Sequence, residues 1–210
     1  PTLFPEQTIK DKSVDYVVAG EGEFAMRGLI DLILEKRGSF DRIPGLAYKE
    51  KDEVKFNGVA PLIDVDNLPV PDYSLLDIDK YINRTLVHNR SVRGLDVLSS
   101  RGCPYRCAFC TNTFLLKRKW RPVETEKVLE TVDLLIKRYQ LNNIWFVDDF
   151  FFGEKERPRK IAQHILNKNY NILWEADIRV DNFREDFVNE SYLDLLRKSG
   201  LYSLRIGAES

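Results

Sequence analysis

Residues 144–178 read IWFVDDFFFGEKERPRKIAQHILNKNYNILWEADI. The apolar run Ile144 to Val147 predicts a strand, the spacing near Arg159 to Leu166 predicts a helix, and Ile172 to Ile178 predicts a second strand. The same alternation continues on both sides. Upstream lie a strand from Asp96 to Ser100, a loop, and an amphipathic stretch from Val123 to Tyr139 with Val128, Val132, Leu135, Ile136 and Tyr139 on one face. Downstream come a helix near Ser191 to Lys198, closed by Gly200, and a strand from Tyr202 to Gly207 in which Tyr202, Leu204 and Ile206 alternate with polar residues or glycine. Strands and helices in strict alternation predict an α/β fold with a parallel sheet, either a β/α barrel or a doubly wound array. A parallel edge strand is normally covered or continued, so a chain stopping on the fourth strand is expected to be an excerpt of a longer protein, cut at both ends. Each strand interior reads as apolar and each tip as charged: Asp148-Asp149, then Arg179 with Asp181, then Glu209-Ser210.

The N-terminal region is organised differently. Tyr16 to Ala19 predicts a short strand, Gly20-Glu21-Gly22-Glu23 a tight turn, and Met26, Leu29, Ile30, Ile33 and Leu34 the apolar face of a helix. This is one step of a doubly wound sheet, whose neighbouring strands are expected before Pro1. Residues 43–56 alternate around a polar turn at Glu50 to Glu53, which predicts a β-hairpin, and the proline- and aspartate-rich residues 61–81 read as an ordered linker. The expected division is therefore 1–38, a hairpin and linker 39–92, and 93–210.

With 43% hydrophobic residues in 210, the chain can bury a substantial core. No apolar run approaches the roughly 20 residues that span a bilayer, and PTLFPEQTIK lacks the regions of a signal peptide, so a cytoplasmic location is expected. The formal charge of −1 provides no global field to attract nucleic acid or an anionic membrane. Lys117, Arg118, Lys119, Trp120 and Arg121 interleave charge with an aromatic ring, as a nucleic-acid patch does, but also read as a solvated loop before a helix.

All three cysteines, Cys103, Cys107 and Cys110, fall in SSRGCPYRCAFC at the end of the strand from Asp96. Their odd number and clustering point to ligands rather than disulfides, and parallel β/α folds place chemistry at that end of their strands. Thiolates suit zinc or an iron–sulfur cluster. A structural zinc site needs four protein ligands, and neither His88 nor His164 has finger-like spacing. A cubane held by three cysteines leaves one iron open to a small chelating molecule.

The C-x3-C-x2-C spacing, with Phe109 before the last cysteine, resembles the signature of the radical S-adenosylmethionine superfamily. That resemblance implies a 4Fe-4S cluster on the three cysteines, S-adenosylmethionine chelated at the open iron, and Phe109 near the adenine; the alternative for Phe109 is packing beneath the loop. It assigns Asp148 or Asp149, Arg179 and Glu209, with Ser210 beside it, to cofactor contacts. VDDFFFGE stands where the family's usual glycine-glycine-glutamate would be, and resembles the Asp-Asp-x-Phe variant of the subfamily with an N-terminal cobalamin domain. DYVVAGEGE likewise resembles the last part of that domain, which would put Gly20, Glu21 and Gly22 at cobalamin.

The implied fold is the end of a Rossmann-like cobalamin-binding domain (1–38), a hairpin and linker (39–92), and the first four β/α units of a partial TIM-type barrel (93–210). The implied activity is reductive cleavage of S-adenosylmethionine, giving methionine and a 5′-deoxyadenosyl radical that abstracts hydrogen, with cobalamin-dependent methylation as the leading reaction. A radical cyclase or rearrangement enzyme shares these features; a non-catalytic iron–sulfur or zinc module is the alternative of another class. The implied partners are a small-molecule or peptide substrate and an external electron donor such as flavodoxin or ferredoxin. The fragment alone is expected to be inactive.

Overall fold

The computed structural model describes residues 1–51, 53–87 and 90–207. These fall into two units, residues 1–64 with 108–117, and residues 65–107 with 118–210. In the first, a single turn α1 (Pro5–Thr8) leads to β1 (Tyr16–Val18), α2 (Glu23–Glu35), β2 (Leu46–Glu50) and β3 (Glu53–Phe56); a second single turn, α3 (Asn112–Leu115), also belongs here. The strands form one antiparallel sheet in the order β1-β2-β3, with Tyr16 opposite Tyr48 and Glu50 opposite Glu53. The predicted hairpin is present and pairs with β1, which lies antiparallel to its described neighbour. Strand alternation sends Val17 and Ala47 to one face with Ile9, and Leu46 and Tyr48 to the other with Ala25, Leu29 and Ile43.

The helix face expected from periodicity is only partly right. Of Met26, Leu29, Ile30, Ile33 and Leu34, Leu29 alone is buried, and Leu34 is 75% exposed. On this three-stranded sheet α2 buries one narrow stripe, Ala25 and Leu29 with Leu32 at its edge, and its other apolar residues are exposed.

The second unit runs from 3-10 turns within residues 65–80 into β4 (Asn83–Val87), β5 (Arg90–Val97), β6 (Ser100–Arg101), β7 (Arg121–Pro122), α4 (Thr125–Tyr139), β8 (Asn143–Phe146), α5 (Glu156–Asn167), β9 (Leu173–Ile178), α6 (Glu190–Lys198) and β10 (Leu201–Ile206). The main sheet has the order β10-β9-β8-β5-β4, parallel from β5 to β10 and antiparallel only between β4 and β5. The predicted alternation is present, although the first strand begins at Arg90 rather than Asp96 because β4 extends the pairing. Asn189 caps α6 by accepting from the Tyr192 amide at 3.0 Å. Gly200 ends it at φ +103, where a Cβ would collide with the Ile172 carbonyl oxygen.

One face of this sheet is the core. Val97, Ile144, Phe146, Trp174 and Ala176 pack with Val132 of α4, Ile161 of α5 and Leu196 of α6. The strand interiors are apolar on that face only. Alternation gives the opposite face Asp96, Trp145, Glu175, Asp177 and Arg205; Arg205 lies 3.6 Å over the Trp145 ring and bonds Glu175 at 2.8 Å. Burial pushes the Asp96 and Asp177 carboxyls up.

Candidate functional site

β5 delivers the chain to a corner at Leu98-Ser99, after which β6 pairs with β7, Ser100 opposite Pro122 and Arg101 opposite Arg121. The two-stranded pairing closes the base of an excursion, residues 102–120, that carries every cysteine of the chain. Its entrance is held from the end of β8. Asp148 accepts hydrogen bonds from the Ser99 amide at 2.9 Å, the Ser99 hydroxyl at 2.7 Å and the Ser100 hydroxyl at 2.7 Å. Asp149 accepts from the Gly102 amide at 3.0 Å, directly before Cys103. Burial pushes the Asp148 carboxyl up, opposed by the two serine hydroxyls and by the Arg157 charge.

The three phenylalanines that follow are buried. Phe150 meets Tyr105 edge-on at 5.2 Å and Trp120 at 6.3 Å, tying both ends of the excursion to the β8–α5 connection, while Phe151 packs on Phe146 at 4.7 Å. Gly153 lies against the Trp120 ring, leaving no space for a Cβ.

Arg179, at the end of β9, reaches into the excursion. Its guanidinium lies 3.7 Å over the Tyr105 ring, Nη1 is 3.6 Å from Cys107 Sγ, and Nε and Nη2 bond the two Asp181 oxygens at 3.0 and 3.2 Å. The hydrogen bond to Asp181 raises the guanidinium further above its ordinary value, so it stays cationic, and the same pair holds the Asp181 carboxyl below the usual range. Burial pushes the Cys103 thiol up.

Arg179 and Cys107 are thus brought together, with Asp149 at the backbone beside Cys103. Asp148 is 2% exposed and its bonds go to Ser99 and Ser100. Phe109 is 68% exposed, so it does not pack beneath the loop. Glu209 and Ser210 lie outside the described residues. Gly20, at φ +104, has Ala60 within 3.1 Å of where a Cβ would stand, and Glu21 accepts the Ile63 amide at 2.6 Å, so this turn is braced on residues 60–63. Sequence reasoning missed Ser99, Ser100, Tyr105 and Arg157. A pair of serines ending an apolar strand is a signal for buried hydrogen bonding; Arg157, between Glu156 and Pro158, looks like a solvated first turn.

Among the described residues no three His, Cys, Asp or Glu side chains are gathered closely enough to hold a metal ion. The donor set nevertheless fits an iron–sulfur cluster in its chemistry. The three thiols are unbridged and half-buried, thiolates are the ligands such clusters take, and the Arg179 guanidinium lies beside the Cys107 sulfur.

The family model described as the radical SAM superfamily matches residues 97–210, more than half of the chain. The chain belongs to the radical SAM superfamily. It is 34% identical to the uncharacterized methyltransferase PH0819 of Pyrococcus horikoshii, over 100% of this chain and 43% of that protein. It is also 26% identical to the anaerobic magnesium-protoporphyrin IX monomethyl ester cyclase of Rubrivivax gelatinosus, over 99% of this chain and 37% of that one. Among solved structures, the cobalamin-dependent S-adenosylmethionine radical enzyme OxsB, with aqua-cobalamin and S-adenosylmethionine bound, superposes with a TM-score of 0.77 at 28% identity, covering 100% of this chain and 30% of OxsB. This radical SAM chain therefore spans less than half the length of the relatives it matches, and like OxsB it has a mixed α/β fold. Among the described residues no helix is long and apolar enough to cross a membrane.

Proposed function

We propose that this chain is part of a radical SAM enzyme in which Cys103, Cys107 and Cys110 hold a 4Fe-4S cluster, and that the whole protein carries out cobalamin-dependent methyl transfer. The observation that carries the site is the three-thiol excursion with Arg179 set against Cys107. The sequential parallel order β5-β8-β9-β10 supports the reading of residues 93–210 as the start of a TIM-type barrel. The likeness to OxsB supports cobalamin, with residues 1–38 as the end of its domain and Gly20, Glu21 and Gly22 near it. Cytoplasmic location, an external electron donor and a small-molecule or peptide substrate belong to the same reading.

A bound cluster supplies the site for chelating S-adenosylmethionine and the electron for reductive cleavage. The chain's own residues orient and shield. Arg179 places a permanent positive charge beside the Cys107 sulfur, Asp149 fixes the Gly102 amide that precedes the first cysteine, and Tyr105, Trp120 and Phe150 form an aromatic support that limits water on one side. Phe109, with its ring exposed, is available to an adenine; for Glu209 and Ser210 the resemblance to the superfamily implies cofactor contacts.

Product analysis tests the reaction. Anaerobic turnover of the full-length protein is expected to give S-adenosylhomocysteine and 5′-deoxyadenosine with a methylated product. The similarity to the Rubrivivax cyclase favours a second reading, cyclisation, in which 5′-deoxyadenosine forms with no methylated product.

A further inference from the structure

Asp148, just after β8, and Arg157, in the first turn of α5, are buried charged residues, 2% and 1% exposed. Both act on one short piece of backbone. Asp148 takes the amide and hydroxyl of Ser99 and the hydroxyl of Ser100, and Arg157 Nη2 donates to the Ser99 carbonyl, which also accepts the Val123 amide at 3.0 Å. Ser99 is thereby held at its N–H, its hydroxyl and its C=O. With Asp149 on the Gly102 amide, three of the four residues preceding Cys103 are fixed from β8 and α5.

We propose that Asp148 and Arg157 form a positioning pair that sets the backbone entering the cysteine excursion, and that Asp148 acts through Ser99 and Ser100 rather than by touching a cofactor. The inference rests on the reading of the excursion as a cluster site. Three donors occupy most of what a carboxylate can accept, and Ser99 and Ser100 are themselves fully buried, so the Asp148 oxygens are not presented to a ligand. A carboxylate in that position needs a compensating charge, and Arg157 supplies it. Arg157 does so without using its fork: Nε and Nη1 have no hydrogen-bond partner among the described residues, and the guanidinium carbon stands 5.9 Å over the Phe151 ring. A compact ammonium that keeps the charge and one bond to Ser99 should therefore serve, whereas an uncharged side chain of similar length should not.

The test uses the full-length protein, reconstituted anaerobically, with iron per chain, the rate of cluster loss to a ferrous chelator, and equilibrium binding of S-adenosylmethionine to the loaded fraction as readouts. Asp148→Asn and Arg157→Met are expected to speed cluster loss by about tenfold, while Arg157→Lys stays within about twofold of wild type and S-adenosylmethionine affinity per loaded chain is unchanged in all three. Should Asp148→Asn fail to fold, Ser100→Ala, which removes one hydroxyl bond, is expected to speed cluster loss by about twofold with the same affinity. Wild-type cluster retention in Asp148→Asn with about tenfold weaker S-adenosylmethionine binding would make Asp148 a cofactor contact and overturn the proposal. So would wild-type retention in both Arg157→Met and Ser100→Ala. A wild-type protein that takes up no iron overturns the cluster reading itself, a result distinct from either of these.

Discussion

Arg179 meets an aromatic ring, a thiol and a carboxylate at once, and each contact limits the freedom of the others. Replacing it with methionine keeps much of its length and removes the charge, the ring stacking and the pair with Asp181. Arg179→Met is expected to lower the iron retained per chain after gel filtration by about tenfold, with Arg179→Lys intermediate because it restores charge without the planar fork. Retention equal to wild type in Arg179→Met would remove Arg179 from the site. Gly153→Ala forces a methyl group into the Trp120 ring and is expected to destabilise the fold by about 1–3 kcal/mol, read as a lower thermal midpoint with altered tryptophan fluorescence. At this scale the cysteines were legible because three thiols in one short stretch announce metal chemistry by residue type alone. Ser99 and Arg157 were not, because their meaning depends on partners 49 and 58 positions away in the chain.

The helices of the second unit are joined as well as stacked. Asp133 of α4 bonds His164 of α5 at 2.7 Å, Tyr170 at 3.0 Å and Lys137 at 2.9 Å. Burial alone would raise its carboxyl; the bonds from His164, Lys137 and Tyr170 outweigh that and lower it from the ordinary 3.8 to about 2. A depressed folded-state value stabilises the fold at pH above the unfolded value, and that stability is lost as pH falls through the folded one. Wild type is therefore expected to be more stable than Asp133→Asn at pH 6, by about 1 kcal/mol in denaturant titrations, with the gap closing between pH 4 and 2. A gap independent of pH would show that the charge on Asp133 is immaterial. Among the elements, α4, α5 and α6 were readable from periodicity because each buries one clean stripe. The β4 strand was not: Asn83-Arg84 opens it with polar residues, and its place is set by pairing with β5. In α2 periodicity marked out the apolar residues, of which Ala25 and Leu29 are buried against the described sheet.

At the scale of the molecule, the parallel β5-β8-β9-β10 array followed from strict strand–helix alternation, which leaves few topologies open. The antiparallel β1-β2 pairing did not follow, since a strand, a turn and a helix carry no information on which later strand will pair with the first. The array brings the ends of β8 and β9 to the excursion after β5, so Asp148, Asp149 and Arg179 serve one loop although they are far apart in sequence. Around that convergence the loop is proposed to hold a 4Fe-4S cluster. The most direct measurement is the iron and sulfide content and the electron paramagnetic resonance spectrum of the full-length, anaerobically reconstituted protein, beside a variant with all three cysteines changed to alanine. The wild-type protein is expected to hold about four irons and four sulfides per chain and to give a reduced-cluster signal that changes when S-adenosylmethionine is added, and the variant to show neither. Zinc in place of iron, or an iron signal that survives loss of the three cysteines, would contradict it.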